Sequence, residues 1–440
     1  MVSPLFIFLF LGLMFLGLPV LFALLLAPGI GLFVDGQNLM VTRLVSRMIS
    51  GIQAGPLLAI PFFMLAGELM NQGGITKSLV DFSDKMIGHF RAGLAQVNIL
   101  SSILFAGLSG SAVADTSAIG SMLIPAMEKN GYSTRFSAAI TAVSSVIGPI
   151  IPPSGIMILY AFVMNVSVGG LFAAGIVPGL LVGISLMVMT RFIAIKRNYP
   201  MGERKTWGER GVAFRHAFFP LMTPVLLLGG ILSGVFTPTE ASAFAAAYAL
   251  IISLFVLKTI SFKQLPEVFL KSAMTSGAVL LLVGAAVAFS FVITISGIPR
   301  TLTEALLDLT ENKYLLLFIF NIILLITGMF LDAGPAILIL GPILGPTFIS
   351  LGVEPLHFAI MMCVNLTVGL ATPPMGLVLF VASSISGERI ERIVKEMLPF
   401  LAVEILVILL ITYVPEVSLT LPRLMGFLRE FRISPGLPGH

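Results

Sequence analysis

Charged residues are scarce in this sequence of 440 residues: they make up 10% of it, whereas apolar side chains make up 57%. About a quarter of the residues of a typical soluble domain are charged, so a soluble globular protein is excluded. Cysteine occurs once, as Cys363, which excludes an intrachain disulfide. Histidine and cysteine form no cluster in the sequence that suggests a metal centre. We therefore expect no cofactor.

Long apolar runs are abundant instead. Runs of 18 or more residues recur along the whole chain, which is typical of a helical protein that crosses a membrane many times. A membrane β-barrel would show short alternating segments. The net charge of +4 is small and lies in the loops, so it indicates orientation in a lipid bilayer rather than nucleic-acid binding. The fold class predicted is an all-α polytopic membrane protein.

One stretch of the chain is repeated. Residues from Gly107 to Gly155 match residues from Gly328 to Gly376 at a constant offset of 221 positions, with no gap. The matched pairs include Gly107 and Gly328, Gly120 and Gly341, Pro125 and Pro346, Gly131 and Gly352, Gly148 and Gly369, Pro152 and Pro373, Pro153 and Pro374, and Gly155 and Gly376. Glycine and proline determine backbone geometry, so their register predicts one backbone path used twice.

Each copy combines two short apolar arms with an interrupted helix. Leu94–Phe105 would be about 18 Å long as a helix, against about 30 Å for the bilayer core. Such arms predict two re-entrant hairpins, hairpin one (92–127) and hairpin two (314–349). We call their turns tip one (107–112) and tip two (328–335). Prolines interrupt the spans 136–164 and 357–386, which predicts two broken helices with break one (148–155) and break two (369–376).

The distribution of loop charge orients the two copies. The base of hairpin one is basic and is therefore expected in the cytoplasm; its residues are Lys77, Lys85, Arg91, Lys129 and Arg135. The base of hairpin two is acidic, and counting the spans between them places it outside. The copies thus form an inverted repeat. The predicted organisation is scaffold helices (1–70), first repeat (71–195), cytoplasmic loop (196–216), scaffold helices (217–296), second repeat (297–413) and a tail (414–440).

An inverted pair of hairpins and broken helices is typical of transporters that bind substrate and ions near the bilayer midplane. Irregular backbone at that depth is tolerated only where it lines a protein cavity or water. The N-termini of half-helices carry partial positive charge and suit a carboxylate. Carbonyl groups at the breaks, together with the hydroxyl of Thr372, suit a hard cation such as Na⁺.

Five motifs carry a resemblance to one transporter family: LLAIPFFMLAGELMNQGG (57–74), LSGSAVADTSAIGSMLIPAM (108–127), GPIIPPSG (148–155), FTPTEA (236–241) and GLATPPMG (369–376). Over essentially its whole length the sequence resembles the large membrane subunit of the tripartite ATP-independent periplasmic (TRAP) transporters. The resemblance implies an elevator-type secondary transporter of the bacterial inner membrane. It implies import of organic acids such as C4-dicarboxylates, sugar acids or sialic acid, driven by a Na⁺ gradient. It also implies a periplasmic substrate-binding protein and a small four-helix membrane subunit, here expected on a separate chain.

The resemblance further implies two Na⁺ sites, each at a tip and a break. The first set is Ser109, Gly148, Ile151 and Pro153, and the second is Gly328, Gly369, Thr372 and Met375. We expect the substrate anion to be bound between the tips and breaks, by Ser109, Gly110, Ser111, Asp115, Ser154, Gly155, Asp332, Pro374 and Gly376.

Several further interpretations are compatible with the sequence. The glycines and prolines could serve helix packing alone, and the two serines of tip one could bond to their own helix. Asp115 and Asp332 do not align in the repeat; each could cap a half-helix, or together they could form an intramembrane aspartyl protease. A passive channel and a single-component Na⁺/carboxylate symporter are also compatible with it. Uptake that fails without a binding protein would exclude the symporter.

Overall fold

The structure, a computed structural model, describes residues 4–310 and 312–428, and leaves out the side chains of residues 56, 108, 109, 307 and 309. The described helices are α1 (Leu5–Phe15), α2 (Val20–Val34), α3 (Asn38–Ile52), α4 (Ala59–Gln72), α5 (Ile75–Ile87), α6 (Gly93–Ser109), α7 (Ala112–Lys129), α8 (Thr134–Ser145), α9 (Gly155–Met164), α10 (Val168–Lys196), α11 (Trp207–Leu232), α12 (Pro238–Ile251), α13 (Leu265–Ser296), α14 (Ile298–Leu309), α15 (Lys313–Phe330), α16 (Ala333–Ser350), α17 (Pro355–Gly369), α18 (Leu377–Ser386), α19 (Ile390–Tyr413) and α20 (Glu416–Leu424). A 3₁₀ turn (Gly55–Leu58) precedes α4, and a π-helical turn (Ile252–Val256) extends α12.

The all-α prediction is confirmed, since the described residues contain no β-strand, only an isolated antiparallel bridge between Arg91 and Met201. Six of the described helices are long and apolar enough to cross a membrane, or seven if the bent pair α19 and α20 is one span. The first apolar segment is divided near Gly17 (φ 83°) into α1 and α2.

The repeat extends well beyond the residues that revealed it. Helices α7 and α16 coincide at both ends when shifted by 221 positions. The five pairs α5 and α14, α6 and α15, α8 and α17, α9 and α18, and α10 and α19 follow the same order with closely matching bounds. Both breaks contain a cis peptide bond, Pro152-Pro153 in one and Pro373-Pro374 in the other. One backbone path is therefore used twice, from α5 to α10 and from α14 to α19.

The arms of both hairpins are longer than expected. In hairpin one, α6 has 17 residues and α7 has 18, and the two arms of hairpin two are similar. Each arm of hairpin two has 18 residues, or about 27 Å of helix, which is close to the thickness of a bilayer core. The expected arms were shorter because the glycines next to tip two were assigned to the turn, whereas α15 continues through Gly328 to Phe330. Length alone would thus allow these arms to cross, and the re-entrant path of both hairpins stays a prediction.

Three stretches outside the predicted membrane helices also contain helices. The polar residues 71–91 include α5, residues 298–313 include α14, and the tail includes α20, which packs on α10; residues 429–440 lie outside the described part. The basic loop expected at 196–216 is shorter, since α11 begins at Trp207. Thr206 and Glu209 cap that helix reciprocally: the Thr206 amide donates to Glu209 Oε2 (2.8 Å), and the Glu209 amide donates to Thr206 Oγ1 (3.3 Å).

The two repeats interlock. Helix α9 of the first repeat packs on α16 of the second, and α18 of the second packs on α7 of the first. In the first contact Gly345 lies against Met164, and in the second Gly120 lies against Ile385. Glycine allows this approach because a Cβ atom at either position would crowd the opposing side chain. The interlocked helices form one body whose core spans both repeats.

The remaining helices form a second packing group. Helix α4 packs against α12, while α13 packs against α2, α3 and α4. The Lys271 ammonium of α13 donates to Glu68 Oε1 of α4 at 2.7 Å, and Gln72 donates to the same oxygen. This contact accounts for Glu68, whose role the sequence left open, as a helix contact within this group.

The FTPTEA motif forms the start of α12. Thr237 is the N-cap, Pro238 follows it, and the Glu240 carboxylate accepts from the Thr237 amide at 2.8 Å. We expect Thr237→Ala to lower the stability of the folded protein by about 1 kcal/mol while the remaining folded protein transports normally. Thermal unfolding in detergent and uptake per folded protein measure both effects, with Thr239→Ala as the matched control. Loss of uptake at unchanged stability would show that the motif acts in transport directly.

Candidate functional site

Tip one lies directly against break one. Helix α6 ends at Gly110, which adopts the left-handed conformation (φ 60°) that turns the chain into α7. A Cβ atom at Gly110 would lie 3.2 Å from the Gly155 amide nitrogen and 3.4 Å from the Pro153 carbonyl oxygen. The first tip and the first break, predicted as parts of one site, are thus adjacent in the fold.

Two helix N-termini meet at this contact. Ser111 caps α7 by accepting from the Ala114 amide at 3.4 Å. Ser154 caps α9 by accepting from the Met157 amide at 3.4 Å, and its hydroxyl donates to the Pro149 carbonyl at 2.5 Å. The partial positive charges of α7 and α9 therefore converge near Gly110 and Gly155, which favours a bound anion there.

A small cavity separates tip one from the second packing group. Its volume is about 30 Å³, and its walls include Gly110 and Gly155 on one side and Phe63 and Thr223 on the other. A water molecule needs about 10–15 Å³ on this measure, so the cavity has room for about two waters and not for a dicarboxylate. Gly107 closes it on one side, because a Cβ atom there would lie 2.8 Å from Cβ of Pro224. A dicarboxylate would fit here only if tip one and helix α11 separated.

Asp115 is fully buried one turn into α7. A Cβ atom added to Gly148 would overlap its Oδ2 atom, so the carboxylate lies against the start of break one. Ala336 occupies the equivalent position in the second repeat. The first predicted Na⁺ site therefore has a buried carboxylate beside it, and the repeat does not place one beside the second.

The second predicted Na⁺ site is a contact between two backbones. A Cβ atom at Gly369 would lie 2.6 Å from Cα of Gly328, and one at Gly328 would lie 2.5 Å from the Leu366 carbonyl oxygen. The Thr372 hydroxyl donates to the Val368 carbonyl at 2.8 Å. That bond uses the hydroxyl proton and leaves oxygen lone pairs for a cation. Gly376 is also close, within reach of the Leu370 and Thr372 carbonyls.

Several predicted residues lie apart from these contacts. The side chain of Ile151 packs on Gly179 of α10, whereas the buried Pro153 stays within the contact of tip one, since its carbonyl oxygen faces Gly110. Asp332 is exposed at tip two, where its carboxylate accepts from the Ala333 amide at 2.8 Å. Pro374 and Met375 are exposed at break two. The side chain of Ser109 lies outside the described residues, so its predicted Na⁺ and substrate contacts stay predictions.

Sequence reasoning missed a buried polar seam that fixes each hairpin to its broken helix. In the first repeat the Asn98 side chain donates to Thr141 Oγ1 (2.7 Å), and Thr116 donates to Ser145 Oγ (2.6 Å). In the second repeat the Asn365 side chain donates to Asn321 Oδ1 at 2.9 Å. Ser144, which donates to Asn98 Oδ1 at 3.0 Å, is the repeat partner of Asn365. The alignment of these two polar residues in the repeat was visible in the sequence and could have indicated the seam.

Comparison with known proteins bears on both fold and family. The family model described as "Tripartite ATP-independent periplasmic transporter, DctM component" matches residues 7–417. The chain is 39% identical to the C4-dicarboxylate TRAP transporter large permease protein of Rhodobacter capsulatus, covering 96% of this chain and 100% of that protein. It is 37% identical to the sialic acid TRAP transporter large permease protein of Vibrio cholerae, covering 95% and 98%.

A crystal structure with a similar fold is that of the Alcanivorax borkumensis YdaH transporter. It matches with a TM-score of 0.61 at 17% identity, covering 89% of each chain. The match supports the polytopic transporter fold. Because the relatives are permeases, an aspartyl protease is excluded, and the predicted location in the inner membrane is the one expected of such permeases. The chain belongs to the DctM family, the large permease subunits of tripartite ATP-independent periplasmic transporters.

Proposed function

We propose that this chain is the permease subunit of a Na⁺-coupled importer of organic acid anions of the C4-dicarboxylate, sugar acid or sialic acid class. The observation that carries the proposal is the convergence of the N-termini of α7 and α9 beside Gly110 and Gly155. Two partial positive charges at one point suit a carboxylate group. The names of the relatives from Rhodobacter capsulatus and Vibrio cholerae support this class of substrate.

Two features support Na⁺ as the coupling ion. At the second site, the close approach of Gly328 and Gly369 lies beside the Leu325 and Leu366 carbonyls, and the Thr372 hydroxyl follows three residues after Gly369; hard cations take such oxygen ligands. At the first site, Asp115 supplies a buried negative charge beside Gly148. Carboxylate oxygens are among the ligands that hard cations take in proteins.

The mechanism we propose is an elevator. The interlocked helices α7, α9, α16 and α18 support movement of both hairpins and both broken helices as one unit. The group containing α4, α11, α12 and α13, together with a small four-helix membrane subunit, would stay fixed as the scaffold. A periplasmic binding protein would deliver the substrate outside, and Na⁺ would close hairpin two over it. Separation of tip one from Pro224 would open the small cavity toward the cytoplasm.

Reconstitution tests this function. The permease, its small subunit and its binding protein are placed in proteoliposomes, and uptake of labelled C4-dicarboxylates and sialic acid is measured. We expect uptake only with an inward Na⁺ gradient and only with the loaded binding protein. Uptake without the binding protein would indicate a single-component symporter. Uptake that does not depend on the Na⁺ gradient would indicate a passive channel.

Thr372→Ala should weaken the Na⁺ dependence of uptake. Loss of one neutral oxygen ligand removes about 1 kcal/mol, so we expect the half-saturating Na⁺ concentration to rise about fivefold with little loss of folded protein. Thr372→Ser keeps the hydroxyl and is the matched control. Unchanged Na⁺ activation in Thr372→Ala would remove Thr372 from the site and leave its bond to Val368 as its role.

A further inference from the structure

The connection between α10 and α11 joins the two packing groups, and its first half is not free. Residues 197–202, which we call the clasp, lie along the base of hairpin one. Met201 forms an antiparallel bridge with Arg91, and the Ala92 amide donates to the Pro200 carbonyl at 3.1 Å. Backbone contacts of this kind do not depend on the identity of the side chains. They attach the clasp directly to the residues that begin α6.

Side chains hold the same segment from the other side. The ring of Tyr199 lies 4.9 Å from Tyr132 and 4.9 Å from Phe136, measured between ring centroids. The Arg197 guanidinium is 2.6 Å from the Glu396 carboxylate of α19 and lies over the Phe136 ring. Tyr132 and Phe136 flank the start of α8, so the clasp is fixed to the first broken helix of the proposed moving unit and, through Glu396, to α19 of the second repeat.

Three glycines tighten the contact at its end. A Cβ atom at Gly202 would overlap the carbonyl group of Gly88, and one at Gly93 would overlap the same carbonyl. The residues after Gly202 contact hairpin one less closely than the clasp does. The Glu203 side chain is 92% exposed, and its nearby cation is the partly buried Lys205 (29% exposed) at 3.8 Å, within the same segment. Thr206 already caps α11, which packs on α5 and α12.

We propose that the clasp moves as a rigid part of hairpin one, so that residues 203–205 provide the free length of this connection between the moving unit and the scaffold. The inference rests on the proposed elevator function. The four Cα–Cα steps from Gly202 to Thr206 span about 14 Å when extended, whereas the ten steps from Lys196 to Thr206 would span about 34 Å if the clasp were free. The short segment would therefore limit how far the base of hairpin one can travel from the start of α11.

A reversible cross-link tests the rigid contact. Cys363, the one cysteine of the sequence, is first replaced by Ser; Arg91→Cys and Met201→Cys are then combined. Opposed residues of an antiparallel bridge have Cα atoms about 4.5–5.5 Å apart, within the range that disulfides span. We expect near-complete oxidation with or without Na⁺ and substrate, and uptake within about twofold of the reduced protein. Uptake that stops on oxidation and returns with reductant would overturn the proposal.

A second experiment tests the length of the connection after Gly202 by shortening it. Deletion of Glu203 and Arg204 removes about 7 Å of reach, and we expect uptake to fall at least about tenfold. The matched control, Glu203→Gly with Arg204→Gly, keeps the length and should transport normally. The proposal would be overturned if the deletion left uptake unchanged, or if the double glycine variant lost as much uptake as the deletion. If the reduced parent shows no Na⁺-driven uptake while the cross-link still forms fully, the proposed function fails and the rigid contact does not.

Discussion

Gly369→Ala is expected to abolish most Na⁺-driven uptake. Its Cβ atom would lie 2.6 Å from Cα and 2.8 Å from the carbonyl carbon of Gly328, so it would meet backbone and not a flexible side chain. Forced overpacking of this kind costs about 1–3 kcal/mol, which would weaken Na⁺ binding about five- to 150-fold if the strain falls on the bound state. The half-saturating Na⁺ concentration for uptake is the measurement.

The matched control is Gly277→Ala in α13. A Cβ atom there would meet no other atom within 4 Å, and alanine favours the helix. We expect this variant to transport like the parent. Gly328→Ala should reproduce the defect of Gly369→Ala, because the clash is mutual. If Gly369→Ala retained the parent's Na⁺ affinity, the contact between tip two and break two would not be part of an ion site.

Asp115→Asn is expected to reduce Na⁺-driven uptake about as strongly as Gly369→Ala, because it removes a charge and not because it changes the shape of the side chain. The substitution keeps the volume of a fully buried side chain beside Gly148 and removes its negative charge. Removing one partner of a buried charge pair costs about 3–5 kcal/mol, so Na⁺ affinity at the first site should fall at least about a hundredfold. Uptake across a range of Na⁺ concentrations, with parallel thermal unfolding, separates loss of ion binding from loss of fold.

Asp81→Asn is the control for Asp115→Asn, since Asp81 is exposed on α5. It should leave both uptake and stability unchanged, because exposed charges contribute little. A folded Asp115→Asn variant with normal Na⁺ activation would assign Asp115 a structural role near the start of α7. The sequence by itself is compatible with that role.

Much of the fold was predictable because glycine and proline carry backbone information. Their register over residues 107–155 revealed the repeat, and the structure extends it to six helix pairs. Helix lengths were harder to predict. Leu315 and Ile322 are apolar whether they face protein or lipid, so the sequence of α15 gave no clear end before tip two.

The site was predictable in part, and for a local reason. The turn at Gly110 and the caps at Ser111 and Ser154 follow from nearby residues, so tip one and break one could be assigned from the sequence. The contact of Gly107 with Pro224 depends on packing between distant segments, which the sequence pattern does not encode. For the same reason the sequence does not show that Asp115 is buried at break one while Asp332 is exposed at tip two.

The crossed packing of α9 on α16 and of α18 on α7 has a consequence for how the protein is assembled. During synthesis the first half of the chain must wait, with one face of α9 uncovered, until the second half has been inserted. Each half covers helix faces that the other half leaves exposed. A gene cut between the halves should yield a working permease only when both pieces are made together in the same membrane.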